Sequence, residues 1–135
     1  MDQEKSSIWI DASIATVWRA VTEEQLLTQW YAPDSTWEIQ KLEVGEEIIF
    51  SIMPNEQNQL AEKLSMVLTI NNVTPNREFS FYLGIEETLI AIVLEEEKNG
   101  TRVTFNTKGY EASLAKLQAL VEGNLFLTYK FHGEI

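Results

Sequence analysis

One histidine, no cysteine and a handful of adjacent carboxylates make up the conventional catalytic inventory of this sequence. His132 is the sole histidine, so one chain cannot assemble a histidine-based metal cluster or a Ser-His-Asp arrangement. It reads as a solvated side chain near the end of the sequence. With no thiol, thiolate metal sites, cysteine nucleophiles and disulfides are excluded. No glycine-rich phosphate loop is present, and the glycines fall mostly at turns. The pairs Glu23-Glu24, Glu46-Glu47 and Glu86-Glu87 and the run Glu95-Glu96-Glu97 fall at helix starts and strand ends. Neighbouring residues of a strand point to opposite faces, so such pairs do not converge on one substrate. Solvated edges that discourage aggregation explain them better. No catalytic residue or metal ligand is assigned, no cofactor is expected, and an enzyme is the disfavoured reading.

The aromatic residues say more. Trp30, Tyr31, Trp37, Phe50, Phe79, Phe81 and Phe105 all fall where a curved sheet and its helices would meet. Two readings stand side by side: plain core packing, the usual use of large rings, and the wall of a hydrophobic cavity.

The elements that must position these rings follow from periodicity. Residues 6–12 form a first strand. Ser13 is the N-cap of a helix with Ile14, Val17, Trp18 and Val21 at i, i+3, i+4 and i+7. Thr22-Glu23-Glu24-Gln25 has the pattern of a capping box, predicting a second short helix with Leu26, Leu27 and Trp30 on one side, ended by Pro33. From Trp37 to Thr107 the period becomes two. Ile48, Phe50 and Ile52 share a face, as do Met66, Leu68 and Ile70, and then Phe79, Phe81 and Leu83. Thr74-Pro75-Asn76 is a turn whose proline presets the dihedral. Residues 88–95 form a further strand, and Asn99-Gly100 supplies a type I′ hairpin before Thr101–Thr107. About seven strands with short connections predict an antiparallel sheet. After Gly109 the helical period returns, with Tyr110, Leu114, Leu117, Val121 and Leu125 in one stripe. A meander with its helices on one face is an α+β arrangement.

At 135 residues the chain suits a single domain spanning 1–135. Its 21 acidic and 10 basic residues give a formal charge of −11. That repels phosphate backbones and anionic lipids, so neither nucleic acid nor membrane is an expected partner. The opening Met1-Asp2-Gln3-Glu4-Lys5 lacks the apolar core of a secretory signal, and the longest apolar run, Leu89 to Leu94, is too short to span a bilayer. Cytoplasm is the expected location. The same run is apolar on both faces, and with Leu125, Phe126, Leu127 and Phe131 it predicts a homodimer.

Several local stretches resemble one known group. Ile14 to Leu26 followed by Gln29-Trp30-Tyr31-Ala32-Pro33 is similar to the opening motif of the AHSA-like family, named after the activator of the heat-shock protein's ATPase. Leu42-Glu43-Val44-Gly45-Glu46, Val73 to Phe79 and Asn99-Gly100-Thr101-Arg102-Val103 fit the same pattern, and the resemblance spans residues 6 to about 122. The family commonly has Gly-Gly where this chain has Gly45-Glu46, and Gly-Trp where it has Gly109-Tyr110. The family belongs to the START-like (SRPBCC) superfamily, which implies a helix-grip fold: a curved antiparallel sheet around a long C-terminal helix, with two short helices after the first strand. In that superfamily a cavity lies between sheet and last helix. The resemblance therefore implies a ligand site formed by Trp30, Tyr31, Trp37, Phe50, Met66, Leu68, Phe79, Phe81, Leu117 and Val121. A small apolar ligand such as a lipid is the implied partner. The alternatives are a co-chaperone-like surface module, which the space for only one family domain weighs against, and a cyclase- or hydrolase-type enzyme.

Overall fold

The computed structural model describes residues 5–134 apart from 33, 57–58 and 84–87, and side chains as far as residue 123. Pro33, the Glu86-Glu87 pair and the side chains of Leu125, Phe126, Leu127, Phe131 and His132 thus lie outside the described residues. Strand β1 (Ser6–Ile10) is followed by helices α1 (Ile14–Thr22) and α2 (Glu24–Trp30). Strands β2 (Ser35–Ile39), β3 (Glu47–Ile52), β4 (Leu64–Thr74), β5 (Glu78–Leu83), β6 (Thr88–Glu97) and β7 (Gly100–Phe105) come next, and helix α3 (Glu111–Glu134) closes the chain. The seven strands form one antiparallel sheet in the order β1-β7-β6-β5-β4-β3-β2, so the first strand joins the last and only β1 and β2 are edges. A register shift between Ile70 and Asn72 adds a residue to β4 against β5. Such a bulge bends a strand and strengthens its twist, which helps the sheet curl. This is the helix-grip α+β fold.

The alternation expected of the strands is observed. Ile48 and Phe50, Leu68 and Ile70, Phe79 and Phe81, Ile90 and Ile92, and Val103 and Phe105 are all buried on the concave face. Leu114, Leu117 and Val121 of α3 are buried in the same core, while Tyr110 and Leu120 pack at its margin. Side chains lash α3 to its surroundings. Ser113 Oγ donates to the Tyr31 carbonyl at 2.7 Å, Gln118 Nε2 donates to the Trp9 carbonyl at 2.9 Å, and the Asp11 amide donates to Glu122 Oε2 at 2.9 Å. The last two bonds occupy backbone groups at or just past β1, which an edge strand otherwise leaves open to pairing.

Three local details differ from the sequence reading or refine it. Ser13 does cap α1, its Oγ accepting from the Thr16 amide at 3.2 Å. The capping box at Thr22 does not form. Thr22 is still the last residue of α1, and its hydroxyl donates back to the Trp18 carbonyl at 2.7 Å. Glu23 becomes the N-cap of α2 without a side-chain cap bond. The β6–β7 turn is also displaced by one residue. Its positive-φ positions are Lys98 and Asn99, while Gly100 already pairs with Glu97 in the ladder. Glycine is required at 100 for a steric reason: a Cβ there would lie 2.5 Å from the Ile10 carbonyl oxygen and 2.5 Å from the Trp9 ring. The Trp9 indole lies over this position, donating to the Glu97 carbonyl at 2.6 Å. The turn at Pro75, by contrast, forms as expected, with the Arg77 amide bonded to the Thr74 carbonyl and Asn76 at φ +63°.

The outer face of β6 is not an open apolar stripe. Ala91 is buried and Leu89 and Val93 are half-buried. Asn106 folds over this strand, its Oδ1 accepting from the Ala91 amide and its Nδ2 donating to the Leu89 carbonyl, both at 2.9 Å. Among the described residues, the exposed large apolar ones are instead Val44, Ile49, Met53, Leu64 and Val67, in or beside β3 and β4.

Candidate functional site

The end of α2, the strands β2, β3 and β5, and the start of α3 bring an aromatic cluster together. Tyr31 follows α2 and is oriented by two backbone bonds, its amide to the Leu27 carbonyl and its carbonyl to Ser113. Its ring stands edge-on to Trp37 at 5.0 Å and to Phe50 at 5.7 Å between centroids. Trp37 and Phe50 are opposite one another in the β2–β3 register and meet at 5.1 Å, and Trp37 reaches Phe81 at 5.6 Å. Edge-to-face contacts of this kind place the positive rim of one ring against the negative face of the next.

The other residues anticipated for the site surround this group. Phe79 adjoins Phe81 at 5.4 Å. Trp30 touches Tyr31 and Phe105, and its indole N–H donates to the Ala20 carbonyl at 2.9 Å. Leu68, Leu117 and Val121 are buried in the same core, and Met66, paired with Phe50 in register, is half-buried. Val121 also lines a surface groove of about 180 Å³ between the three helices, together with Arg19, Glu23 and Leu120.

Tyr110, a member of the helix stripe and the residue that stands where the family has the tryptophan of its Gly-Trp pair, completes the cluster. Its ring stacks on Phe105 at 4.0 Å and its hydroxyl hydrogen-bonds that of Tyr31. Ser6 fixes the approach of α3, its Oγ accepting from the Tyr110 amide at 3.1 Å and donating to the Thr107 carbonyl at 2.9 Å. The sequence signal was the tyrosine directly after Gly109, whose φ of +102° lets the chain turn into the helix. Burial raises the Tyr31 phenol well above its ordinary pKa, with the neighbouring Tyr110 adding to the shift. Burial raises Tyr110 as well, partly offset by its bond to Tyr31. Both phenols are therefore neutral at physiological pH.

Trp37 is the exception among these satisfied groups. It is 3% exposed, and its Nε1 is the one buried side-chain nitrogen or oxygen among the described residues with no hydrogen-bond partner. A buried donor left unmade costs about 1–3 kcal/mol, so natural cores seldom keep one without a use. The cluster thus combines an apolar wall with a tyrosine pair and an uncommitted indole N–H. Among the described residues no three His, Asp or Glu side chains converge as a metal site. No helix there is long and apolar enough to cross a membrane.

The family model described as "Activator of Hsp90 ATPase homolog 1-like protein" matches residues 11–126. Among curated proteins, no sequence matches. Solved structures do. The protein NE0264 from Nitrosomonas europaea is 19% identical, with a TM-score of 0.73 over 89% of this chain and 94% of that one. The AHSA1-like protein from Aeromonas hydrophila is 18% identical, with a TM-score of 0.65 over 89% and 93%. The Aha1 dimer from Colwellia psychrerythraea is 19% identical, with a TM-score of 0.57 over 93% and 90%. At these identities the likeness to the solved structures is one of fold.

Proposed function

The chain belongs to the Activator of Hsp90 ATPase homolog 1-like family, and on that premise we propose that it is a non-catalytic cytoplasmic module binding a small, mainly apolar ligand among the rings between sheet and helices. The observation that carries this reading is the unpartnered Trp37 N–H inside an aromatic cluster. Core packing alone accounts for the rings but not for an indole donor that has nothing to bond. A ligand that buries about 350 Å² of apolar surface gains roughly 9 kcal/mol. Association costs several kcal/mol of that. Since the rings touch one another, the ligand must also part some of their contacts, so affinities in the micromolar range are expected. Native mass spectrometry of the freshly purified protein tests the proposal. A co-purified small molecule released on denaturation supports it, and an apo mass together with no saturable change of tryptophan emission across a panel of apolar compounds contradicts it.

A second reading, association with another copy through the surface, is favoured by one observation. Ile49 and Val67 face each other across the β3–β4 pair and are both exposed, near the free edge of β2. One similar structure, from Colwellia psychrerythraea, is a dimer. Sedimentation equilibrium of wild type and Val67→Glu separates the two states: a dimer that the substitution breaks supports the reading, and a wild-type monomer at tens of micromolar removes it.

A further inference from the structure

We propose that the polar end of the ligand is an uncharged hydrogen-bond acceptor, such as a ketone or ester oxygen on an apolar body, and that carboxylates are refused. This rests on the ligand-binding reading above and specifies its chemistry. The interior offers protons to give away. Trp37 Nε1 is a donor only, and it has no acceptor of its own. The two phenols carry two protons but share one hydrogen bond, so the pair retains one proton to present outward.

What the interior lacks is equally informative. Apart from the tryptophans and Tyr31, every buried residue with a polar side chain among those described is a serine or threonine, and no described lysine, arginine, aspartate or glutamate is buried. The Arg19 and Arg102 guanidiniums are held on the surface by Glu23 and Glu97, at 2.8 and 2.6 Å. A carboxylate entering the cluster would lose its hydration with no cation to replace it, a far larger penalty than one or two neutral donors offset. A pure hydrocarbon would match the apolar rings but leave the indole N–H unsatisfied, as it is now. A neutral oxygen acceptor satisfies that donor at no charge cost.

Four compounds with one phenyl ring and a short chain separate these cases: benzylacetone (a ketone), butylbenzene, phenylbutyrate and its methyl ester. Each is titrated into ¹⁵N-labelled protein at pH 7.5 and followed by amide and indole resonances. Benzylacetone and the ester should bind about 3- to 10-fold more tightly than butylbenzene, the usual worth of one net hydrogen bond. Phenylbutyrate should bind more than about 30-fold more weakly than its own ester. In Trp37→Phe the advantage of the ketone over butylbenzene should fall below about 2-fold. Where Trp37→Phe does not fold, the Trp37 indole resonance of the wild type serves instead: it should shift on saturation with benzylacetone and not with butylbenzene, and equal shifts for the two would overturn the inference. If no compound gives saturable shifts, the ligand-binding reading itself fails and takes this one with it. If the compounds bind but phenylbutyrate equals or exceeds its ester, or the ketone is no better than the hydrocarbon, this inference is overturned while ligand binding stands.

Discussion

Replacing Trp37 by phenylalanine sets two opposed effects against each other in the ligand-free protein. The substitution removes two ring carbons and the nitrogen from a site that is 3% exposed. The lost burial of two carbons costs about 1.6 kcal/mol at the usual increment per buried carbon. Against this, the same change deletes a buried donor with no partner, whose desolvation costs the native state roughly 1–3 kcal/mol. The effects nearly cancel, so the stability of Trp37→Phe should lie within about 1 kcal/mol of wild type. Trp30→Phe makes the informative contrast. Its N–H is bonded to the Ala20 carbonyl at 2.9 Å, so the same carbon loss is joined by a lost hydrogen bond and an orphaned carbonyl. It should cost about 3 kcal/mol or more. Urea denaturation followed by circular dichroism measures both, with equal m-values showing that the unfolded states are comparable. Equal and large losses for the two variants would mean that the Trp37 N–H is satisfied in solution, and the argument from an orphaned donor would collapse.

Leu117→Ala, at a fully buried position of α3, should cost about 2–5 kcal/mol in the same assay, and an unchanged midpoint would show that this helix does not close the core. Gly100→Ala should cost about 1–3 kcal/mol, because one of its two clashes is with the Ile10 backbone, which cannot swing aside; a melting temperature equal to wild type would refute that contact. The Tyr31 phenol has its pKa raised on folding, so the native state holds its proton more tightly than the unfolded chain. Its contribution to stability is complete below about pH 10 and is lost as pH rises above that value, at up to about 1.4 kcal/mol per pH unit. Phenolate absorbance and ellipticity recorded together should show Tyr31 ionising only as the chain unfolds. Ionisation in the intact fold would contradict its burial.

Much of the architecture could be read directly from residue spacing, because burial imposes a period. The strands alternate since one face meets the core, and Leu114, Leu117 and Val121 recur at helical spacing since only one stripe of α3 does so. Local signals failed where tertiary contacts competed with them. Thr22 satisfied every local requirement of a cap, but its hydroxyl finds the Trp18 carbonyl inside α1 instead. Asn99-Gly100 had the composition of a turn, yet the glycine answers to Trp9, ninety-one positions earlier in the chain. The candidate site was legible as a set of rings and opaque in its polar detail. That Tyr31 meets Tyr110 across 79 residues, and that Trp37 rather than Trp30 is left without an acceptor, depends on where backbone carbonyls end up in three dimensions. No spacing rule carries that information.

The indole N–H of Trp37 is itself the most direct witness to the account. Its ¹H–¹⁵N resonance, identified by its disappearance in Trp37→Phe, should sit upfield among the tryptophan indoles in free protein, as befits a donor with no acceptor. Saturation with benzylacetone should move it downfield as a hydrogen bond forms, while the Trp30 indole, already bonded to Ala20, should move far less. A Trp37 resonance that stays in place while the ligand saturates other signals would contradict the claim that this buried donor is kept for a ligand.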